Sequence, residues 1–185
     1  MKLILASASP RRQELLKEAG FTFEVRLKNI EESYPEELKG EEVAEYLASL
    51  KAKAFEQEIN ADELIITADT VVRLEDKVLG KPKDREDAIN ILKLLSGKKH
   101  IVTTGVCLHS IAATESFSVH TEVYFKELST EEIEYYVDNY KPYDKAGAYG
   151  IQEWIGYVGI EKINGSFYNV MGLPIQKLYE RIREI

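Results

Sequence analysis

The sequence predicts an α/β fold built on a mixed β-sheet. In its first third, short apolar segments alternate with amphipathic ones, which is typical of strand–helix–strand units with parallel strands. Further along, β-rich runs are joined by short polar turns, which indicate antiparallel hairpins. No repeat, linker or low-complexity tract interrupts the 185 residues, so we expect a single domain over 1–185.

The first predicted elements are a strand, a helix and a second strand. Lys2 to Ala6 is short and apolar, as expected of a buried strand. A helix over Pro10 to Glu18 follows, because Ser9 is a favoured N-cap residue and proline is favoured in the first helical turn. Gly20 ends this helix, and the alternating segment Phe21 to Leu27 predicts the second strand.

An irregular loop and a long helix come next. Asn29 to Gly40 is acidic, contains a proline and has few apolar residues, which predicts a loop. Glu41 to Gln57 predicts an amphipathic helix. Its apolar stripe is formed by Val43, Tyr46, Leu47, Leu50 and Ala54.

A strand with a short return partner follows this helix. Leu64 to Leu74 has the apolar character of a buried strand. Val78 to Leu79 is predicted to pair back on it across a turn centred on Asp76. Asp84 to Leu95 then predicts a helix that stops at the Ser96-Gly97 pair.

The C-terminal half combines predicted hairpins with two helices. One hairpin is predicted from His100 to Ser110 and Ser116 to Lys126. A second is predicted from Tyr149 to Ile163 and Ser166 to Tyr168, across the turn Asn164-Gly165. Ser129 to Asn139 predicts a helix with a capping box, because a glutamate stands three residues after its serine. Leu173 to Arg183 predicts the closing helix.

Composition and charge exclude several classes of protein. The hydrophobic fraction of 44% and the charged fraction of 30% are ordinary for a globular domain. A net charge of −8 argues against a nucleic-acid or membrane-surface binder, because such proteins normally carry a basic face. We see no signal peptide and no apolar run of membrane-spanning length, so we expect a cytoplasmic protein. The single cysteine, Cys107, lies in an apolar run and is expected to be an inert buried thiol.

Two arginines stand at the start of the first helix, where cations are unfavourable. Arg11 and Arg12 lie next to the positive end of the helix dipole. A bound anion would resolve this misfit, since the backbone N–H groups of a helix start bind phosphate well. We therefore predict that both arginines, together with Ser7 and Ser9, contact a phosphate group. Replacing either arginine by alanine should then leave the stability of the unliganded protein nearly unchanged or slightly raised.

A single carboxylate interrupts an otherwise apolar strand. Asp69 follows Leu64 to Ala68, and a carboxylate in a buried strand must be paired, bind a metal or face a cleft. If the chain turns back as predicted, Lys81 in the segment Gly80-Lys81-Pro82 returns beside Asp69 and Thr70. Lys81 would then lie near a bound phosphate, with an ordinary ion pair to Asp69 as the alternative.

A glycine-rich segment, Asp144 to Gln152, ends in an amide that can bind a flat polar ring. Together with the arginine motif it predicts a nucleoside phosphate held at both ends. Other residues give weaker signals: Glu31-Glu32 is typical of a solvated acidic loop, and Lys51 of a solvated helix lysine. The three histidines lie apart, so they predict neither a metal site nor a catalytic triad.

These motifs together resemble the Maf family of nucleoside triphosphate pyrophosphatases. Five segments occur in order and span almost the whole chain: Ser7 to Arg12, Thr67 to Val71, Gly80 to Pro82, Asp144 to Gln152 and Gly172 to Pro174. The resemblance implies an elongated mixed α/β structure with a central cleft, in one domain of one or two lobes, similar to inosine triphosphate pyrophosphatase. It implies hydrolysis of a nucleoside triphosphate to the monophosphate and pyrophosphate, with a divalent cation such as Mg²⁺ or Mn²⁺. The glycine-rich segment is similar to that of the branch acting on dTTP and UTP.

The resemblance also implies roles for individual residues. Asp69 matches the family's proton acceptor, and Arg12, Thr70 and Gln152 match positions linked to substrate choice. Glu32 matches its acidic residue and would hold the metal together with Asp69. The polar and basic lining of the cleft is matched by Ser7, Arg11, Arg12, Lys51 and Lys81.

Two departures from the family pattern bear on the site. The family usually has Asp-x-Glu where this chain has Ile30-Glu31-Glu32, so the second metal ligand is left open. It often has glycine after the glutamine, where this chain has Glu153, which predicts a differently shaped ring pocket. Two other functions remain as alternatives: a 7-methyl-GTP pyrophosphatase, and a nucleotide-sensing regulator of cell division without turnover. The resemblance also allows a homodimer, which no residue pattern predicts.

Overall fold

A computed structural model describes residues 1–185 as an α/β fold around one seven-stranded sheet. The strands are β1 (Lys2–Leu5), β2 (Phe23–Val25), β3 (Glu63–Leu74), β4 (Lys77–Leu79), β5 (Lys99–His109), β6 (Thr114–Phe125) and β7 (Ile160–Asn164). The helices are α1 (Pro10–Glu18), α2 (Glu41–Lys53), α3 (Arg85–Leu95), α4 (Thr130–Tyr140), α5 (Trp154–Gly159), α6 (Phe167–Met171) and α7 (Ile175–Glu184). A short 3₁₀ turn covers Ala146–Ala148.

The sheet is mixed, as the sequence predicts. Its strand order is β2-β1-β3-β5-β6-β7, and β4 pairs with β3 outside this path. β1 is parallel to both β2 and β3, whereas all other pairs are antiparallel. The parallel part therefore comes from the early strand–helix–strand units, and the antiparallel part from the later hairpins.

One edge of β3 is shared by two different strands. Its first residues, up to Ile66, pair with β1, and its last residues, from Val72, pair with β4. The opposite edge pairs without interruption with β5. Residues 67–71 consequently have no strand partner on the first edge. This segment, called here the β3 gap, contains Asp69 and Thr70 and opens the sheet near its centre.

Helix α2 packs closely on the sheet through small residues. Tyr46, part of the predicted stripe, is exposed, so that part of the prediction is wrong. The buried face is formed by Val43, Ala44, Leu47, Ala48 and Ala52. A Cβ on Gly105 would lie 2.3 Å from the carbonyl carbon of Ala44, so only glycine permits this approach. Because Gly105 is the β5 partner of Asp69, the helix runs directly beside the β3 gap.

The apolar core is divided at the same place. A cluster of 18 buried residues joins α3, α4, β5 and β6 to the last part of β3, including Val72 and Leu74. A second cluster of 12 joins β1, α1 and α7 to the first part of β3, including Leu64 and Ile66. The β3 gap thus lies where the two clusters meet along one strand.

Several predicted elements differ from the structure. No hairpin forms at Asn164-Gly165, because Ser166 accepts a hydrogen bond from Asn169 N and caps helix α6 instead. The stretch predicted as strand before this turn contains α5 and only the short β7. β2 covers fewer residues than the alternation predicted, and Ser9 occupies the N-cap of α1 without a capping hydrogen bond from its side chain. None of the helices combines the length and the apolar character needed to cross a membrane.

Candidate active site

Two motif segments enter the β3 gap from opposite ends. The loop from Ser7 to Arg12 continues from β1, and Gly80-Lys81-Pro82 continues from β4. They line a cleft with two adjoining cavities, which share six residues: Ser9, Arg11, Arg12, Lys51, Lys81 and Asp144. The inner cavity also includes Gln152 and Thr70, and the outer one includes Ser7 and Glu32. The split strand pairing of β3 therefore brings together motifs that are far apart in the sequence.

Asp69 forms an ion pair with Lys51, and not with Lys81, the pair that the sequence left open as an alternative. Lys51 Nζ lies 2.5 Å from Asp69 Oδ1 and 3.0 Å from Glu32 Oε1. The side chain of Lys51 is only 16% exposed, so the expectation of a solvated helix lysine is wrong. Lys81 lines both cavities but remains exposed.

The position of Lys51 follows from the packing of α2. Lys51 stands seven residues after Ala44 and three after Ala48, which places it on the helix face that meets the sheet. This spacing relative to the small residues is the sequence signal that identifies Lys51 as a residue facing the β3 gap. Glu32, by contrast, comes from the irregular loop before α2, and no periodicity predicts where such a loop turns.

The guanidinium group of Arg12 forms most of its hydrogen bonds with other residues of the protein. Its Nε donates to Gly172 O at 2.7 Å, and its Nη1 donates to Ala68 O at 2.8 Å in the β3 gap. Further bonds reach Thr70 Oγ1 at 3.0 Å and Ser7 Oγ at 3.5 Å. Burial lowers the pKa of Arg12 from its usual value, an effect opposed by the negative charge of Asp69. The structure therefore gives Arg12 a structural role that the helix-dipole argument did not predict.

Arg11 belongs to a different group of charges. Its Nη1 donates to Asp144 Oδ2 at 3.0 Å, and Asp144 Oδ1 accepts from Lys145 Nζ at 2.8 Å. Burial raises the pKa of Asp144, but hydrogen bonds from Lys145 and Arg11 outweigh this effect and hold it below its usual value. Lys145 also forms an ion pair of 3.2 Å with Glu153. Arg11 is thus less tightly held than Arg12, since only one side-chain contact fixes it.

Gln152 lies at the inner end of the cleft with an unused hydrogen-bond acceptor. Its Oε1 is buried and has no partner, although buried polar atoms are normally paired. The glycine-rich turn that carries it depends on Gly147, whose φ is 70° and whose Cβ would lie 2.9 Å from a Val72 methyl carbon. Gln152 therefore lines the inner cavity with an amide whose oxygen has no hydrogen-bond partner within the protein.

Tyr136 and Glu153 hold this turn from behind; the sequence pointed to Glu153 only as a departure from the family pattern and did not point to Tyr136. Tyr136 Oη donates a hydrogen bond to the Glu153 carboxylate and accepts one of 2.9 Å from Gly150 N. Burial, and then the hydrogen bond to Glu153, raise the pKa of Tyr136, which keeps the phenol neutral. The tyrosine-rich helix predicted only packing, because no local pattern shows which tyrosine meets the turn.

The three histidines and the cysteine line neither cavity of the cleft. No group of three or more His, Cys, Asp or Glu side chains is placed to hold a metal ion. His100 is buried in the core against Tyr149 at 2.7 Å, and Cys107 is fully buried. Burial raises the pKa of the Cys107 thiol to about 11, which fits the predicted inert role.

The fold and the cleft together define the class of protein. It is an α/β protein with a cation-rich cleft at a gap in its central sheet. The chain belongs to the Maf family, since the family model described as "Maf-like protein" matches residues 2–185.

Related proteins of established name are similar over the whole chain. The dTTP/UTP pyrophosphatase of Phocaeicola vulgatus is 56% identical, covering 100% of this chain and 96% of that protein. The dTTP/UTP pyrophosphatase of Bacteroides thetaiotaomicron is 54% identical with the same coverage. That of Flavobacterium johnsoniae is 52% identical, covering 97% of this chain and 92% of that protein.

Solved structures give weaker similarities. The Ham1 protein of Staphylococcus aureus aligns at a TM-score of 0.46 with 17% identity, covering 68% of this chain and 72% of that chain. A nucleoside-triphosphatase/dITP/XTP pyrophosphatase of Mycobacterium abscessus aligns at 0.46 with 14% identity, covering 99% and 95%. Similarities of this size carry no weight for function.

Proposed function

We propose that this chain hydrolyses dTTP and UTP to the nucleoside monophosphate and pyrophosphate. The relatives named for this activity are 50–56% identical to the chain. In the cleft, cationic side chains suited to a triphosphate adjoin an amide suited to a pyrimidine ring. A triphosphate carries about three to four negative charges, which fixed cations stabilise in the transition state.

The unpartnered Oε1 of Gln152 is the observation that carries the choice of ring. Uracil and thymine present a ring N–H between two carbonyl groups, and an amide can accept from the N–H while donating to one carbonyl. Cytosine has an acceptor in place of this N–H, so an amide held in the orientation that fits uracil would place Gln152 Oε1 against another acceptor. A buried unpaired acceptor costs roughly 1–3 kcal/mol, which is enough to disfavour CTP.

Asp69 is the residue we assign to the attacking water. Its Oδ1 accepts from Lys51, which leaves Oδ2 to accept the proton as the water oxygen bonds to phosphorus. The attacked atom is the α-phosphorus. Its bond to the oxygen that bridges to the β-phosphate breaks, and pyrophosphate leaves with that oxygen. Lys51, Lys81 and Arg11 stabilise the charge that develops on the phosphate oxygens.

A divalent cation such as Mg²⁺ or Mn²⁺ fits the donor set beside Asp69. The carboxylates of Asp69 and Glu32 converge on one ammonium group, Lys51 Nζ, so this place already holds a single positive charge. Mg²⁺ commonly binds one or two carboxylates together with substrate phosphate oxygens. Asp69 and Glu32 would hold the ion, which supplies further positive charge to the phosphates.

Location and assembly are part of the same proposal. A cytoplasmic protein would meet nucleoside triphosphates directly, and the single thiol of Cys107 is compatible with a reducing compartment. We propose a small-molecule substrate without nucleic-acid binding, in keeping with the net charge of −8. A homodimer remains a prediction that light scattering of the purified protein would test.

Replacing Gln152 by alanine tests the assignment of the ring. We expect kcat/KM for UTP and dTTP to fall by about tenfold or more, because the two-point contact with the ring is lost. The low activity with CTP and GTP should change little, since those rings do not form this contact. Equal losses on all four nucleotides would show that Gln152 supports the turn without contacting the base.

A further inference from the structure

Glu153 lies behind the inner cavity and lines neither cavity of the cleft. Its carboxylate nevertheless meets two groups that shape the cavity wall. Tyr136 Oη donates to one oxygen, and Lys145 Nζ lies 3.2 Å from the other. Glu153, the residue that departs from the family pattern, therefore makes its contacts inside the protein, and only 20% of its side chain is exposed.

Both contacts of Glu153 act on the segment that carries Gln152. Tyr136 Oη accepts a hydrogen bond from Gly150 N, so the phenol links Glu153 to the backbone of the turn. A Cβ on Gly150 would lie 3.0 Å from both Glu153 Cδ and Lys145 Cε, and 3.1 Å from Gln152 Nε2. Three side chains thus converge on the open face of one glycine, and moving any of them shifts the wall of the inner cavity.

The same contacts continue to the phosphate end of the cleft. Lys145 Nζ donates to Asp144 Oδ1, and Asp144 Oδ2 accepts from Arg11. Lys145, which is 9% exposed, is therefore held between two carboxylates. In this arrangement its charge is neutralised at the point where the cavity receives an uncharged ring.

We propose that Glu153 is a positioning residue that sets the discrimination between pyrimidine rings, acting through Tyr136 and Lys145. This inference rests on the proposed function. With Glu153 in place, Lys145 Nζ is held between the carboxylates of Asp144 and Glu153, which fixes the ammonium and directs two of its three N–H groups away from the ring. Without it, a mobile ammonium N–H can satisfy the ring nitrogen of cytosine, which is an acceptor where uracil has a donor. Gln152 also loses the fixed turn that aims its Oε1.

The test compares kcat/KM for UTP and CTP in Glu153→Gln, Glu153→Ala and Tyr136→Phe. We expect the UTP/CTP ratio to fall about tenfold in Glu153→Ala and Tyr136→Phe, the size of one lost buried hydrogen bond. Glu153→Gln keeps an acceptor for Tyr136 and should be rescued in part. The matched controls are Glu161→Gln and Tyr135→Phe, both exposed, and they should leave the ratio unchanged.

A purely structural role predicts a different result. It would reduce the active fraction equally for both nucleotides, lowering both rates while the UTP/CTP ratio stays at the parental value. That outcome would overturn the inference. If Tyr136→Phe does not fold, the Glu153 variants decide alone. A parent protein without turnover would contradict the proposed function itself, whereas an active parent with ratio-neutral Glu153 variants contradicts only this inference.

Discussion

Two adjacent residues of β3 contact opposite sides of the cleft. Asp69 meets Lys51 of helix α2, while Thr70 bonds to Arg12 and to Thr104 on the neighbouring strand. Because side chains alternate along a strand, one short segment supplies both the carboxylate assigned to the water and a contact for the arginine. Ala68 contributes its free carbonyl to the same arginine, since no strand pairs with it there.

The two arginines of α1 should therefore differ in their effect on stability. Arg12→Ala removes hydrogen bonds to Gly172 O and Ala68 O and leaves buried acceptors unpaired, so we expect a loss of about 2 kcal/mol or more. Arg11→Ala breaks one pair with a largely exposed carboxylate and should cost at most about 1 kcal/mol. Urea unfolding of the two unliganded variants measures the difference. Equal, near-zero losses would restore the view that both arginines serve only the phosphate.

At the level of elements, the site depends on how closely α2 approaches the sheet. Gly105 permits this approach and lies opposite Asp69 in the β3–β5 register. The helix then carries Lys51 to the β3 gap, where it bonds to Asp69. Gly105 thus supports the ion pair between Lys51 and Asp69 without contributing a side chain to it.

Replacing Gly105 by alanine should lower both stability and activity. The new Cβ would force α2 away from the sheet, at a cost of about 1–3 kcal/mol for overpacking. Displacing Lys51 by about 1 Å is expected to reduce kcat by up to about 10²-fold. The steric control for stability is Gly80→Ala, whose Cβ would meet no atom within 4 Å. A Gly105→Ala protein with parental thermal stability and turnover would contradict this role of α2.

The sequence predicted elements well where local physics determines them. The capping box of α4, the β3–β4 return and the β5–β6 hairpin are all confirmed, because turn chemistry and periodicity act over a few residues. The Asn164-Gly165 hairpin failed, since a nearby serine caps a helix there. The partner of Asp69 was also missed, because it depends on how closely two elements approach each other.

At the scale of the whole molecule, two apolar clusters are joined through one long strand. We propose that they mark two lobes of a single domain about the cleft. His100 is buried against two residues of the larger cluster: it is hydrogen-bonded to Tyr149, and its ring lies edge-on to that of Phe125. Tyr149 in turn lines the inner cavity, so the core packing continues into the wall of the candidate site.

The buried His100 makes stability depend on pH. Burial lowers its pKa from 6.5 to about 4, so the folded protein resists a proton that the unfolded chain accepts. The contribution of the neutral His100 to the free energy of unfolding is fully present above pH 6.5. It is lost as pH falls from 6.5 to 4, which lowers the free energy of unfolding by up to about 3 kcal/mol. His100→Gln should remove this acid-side slope in urea unfolding, while His109→Gln should retain it. An unchanged slope in His100→Gln would rule out this origin.

The most direct test of the proposed function is multiple-turnover release of pyrophosphate from UTP and dTTP, with Mg²⁺ or Mn²⁺ present. We expect many turnovers per chain on these two nucleotides and far fewer on CTP, GTP and 7-methyl-GTP. Asp69→Asn should fold normally, because its amide oxygen still accepts from Lys51, yet lose at least about 10²-fold in rate. The exposed Asp62→Asn serves as the matched control. Nucleotide binding without pyrophosphate release, or near-parental turnover by a folded Asp69→Asn protein, would contradict the account.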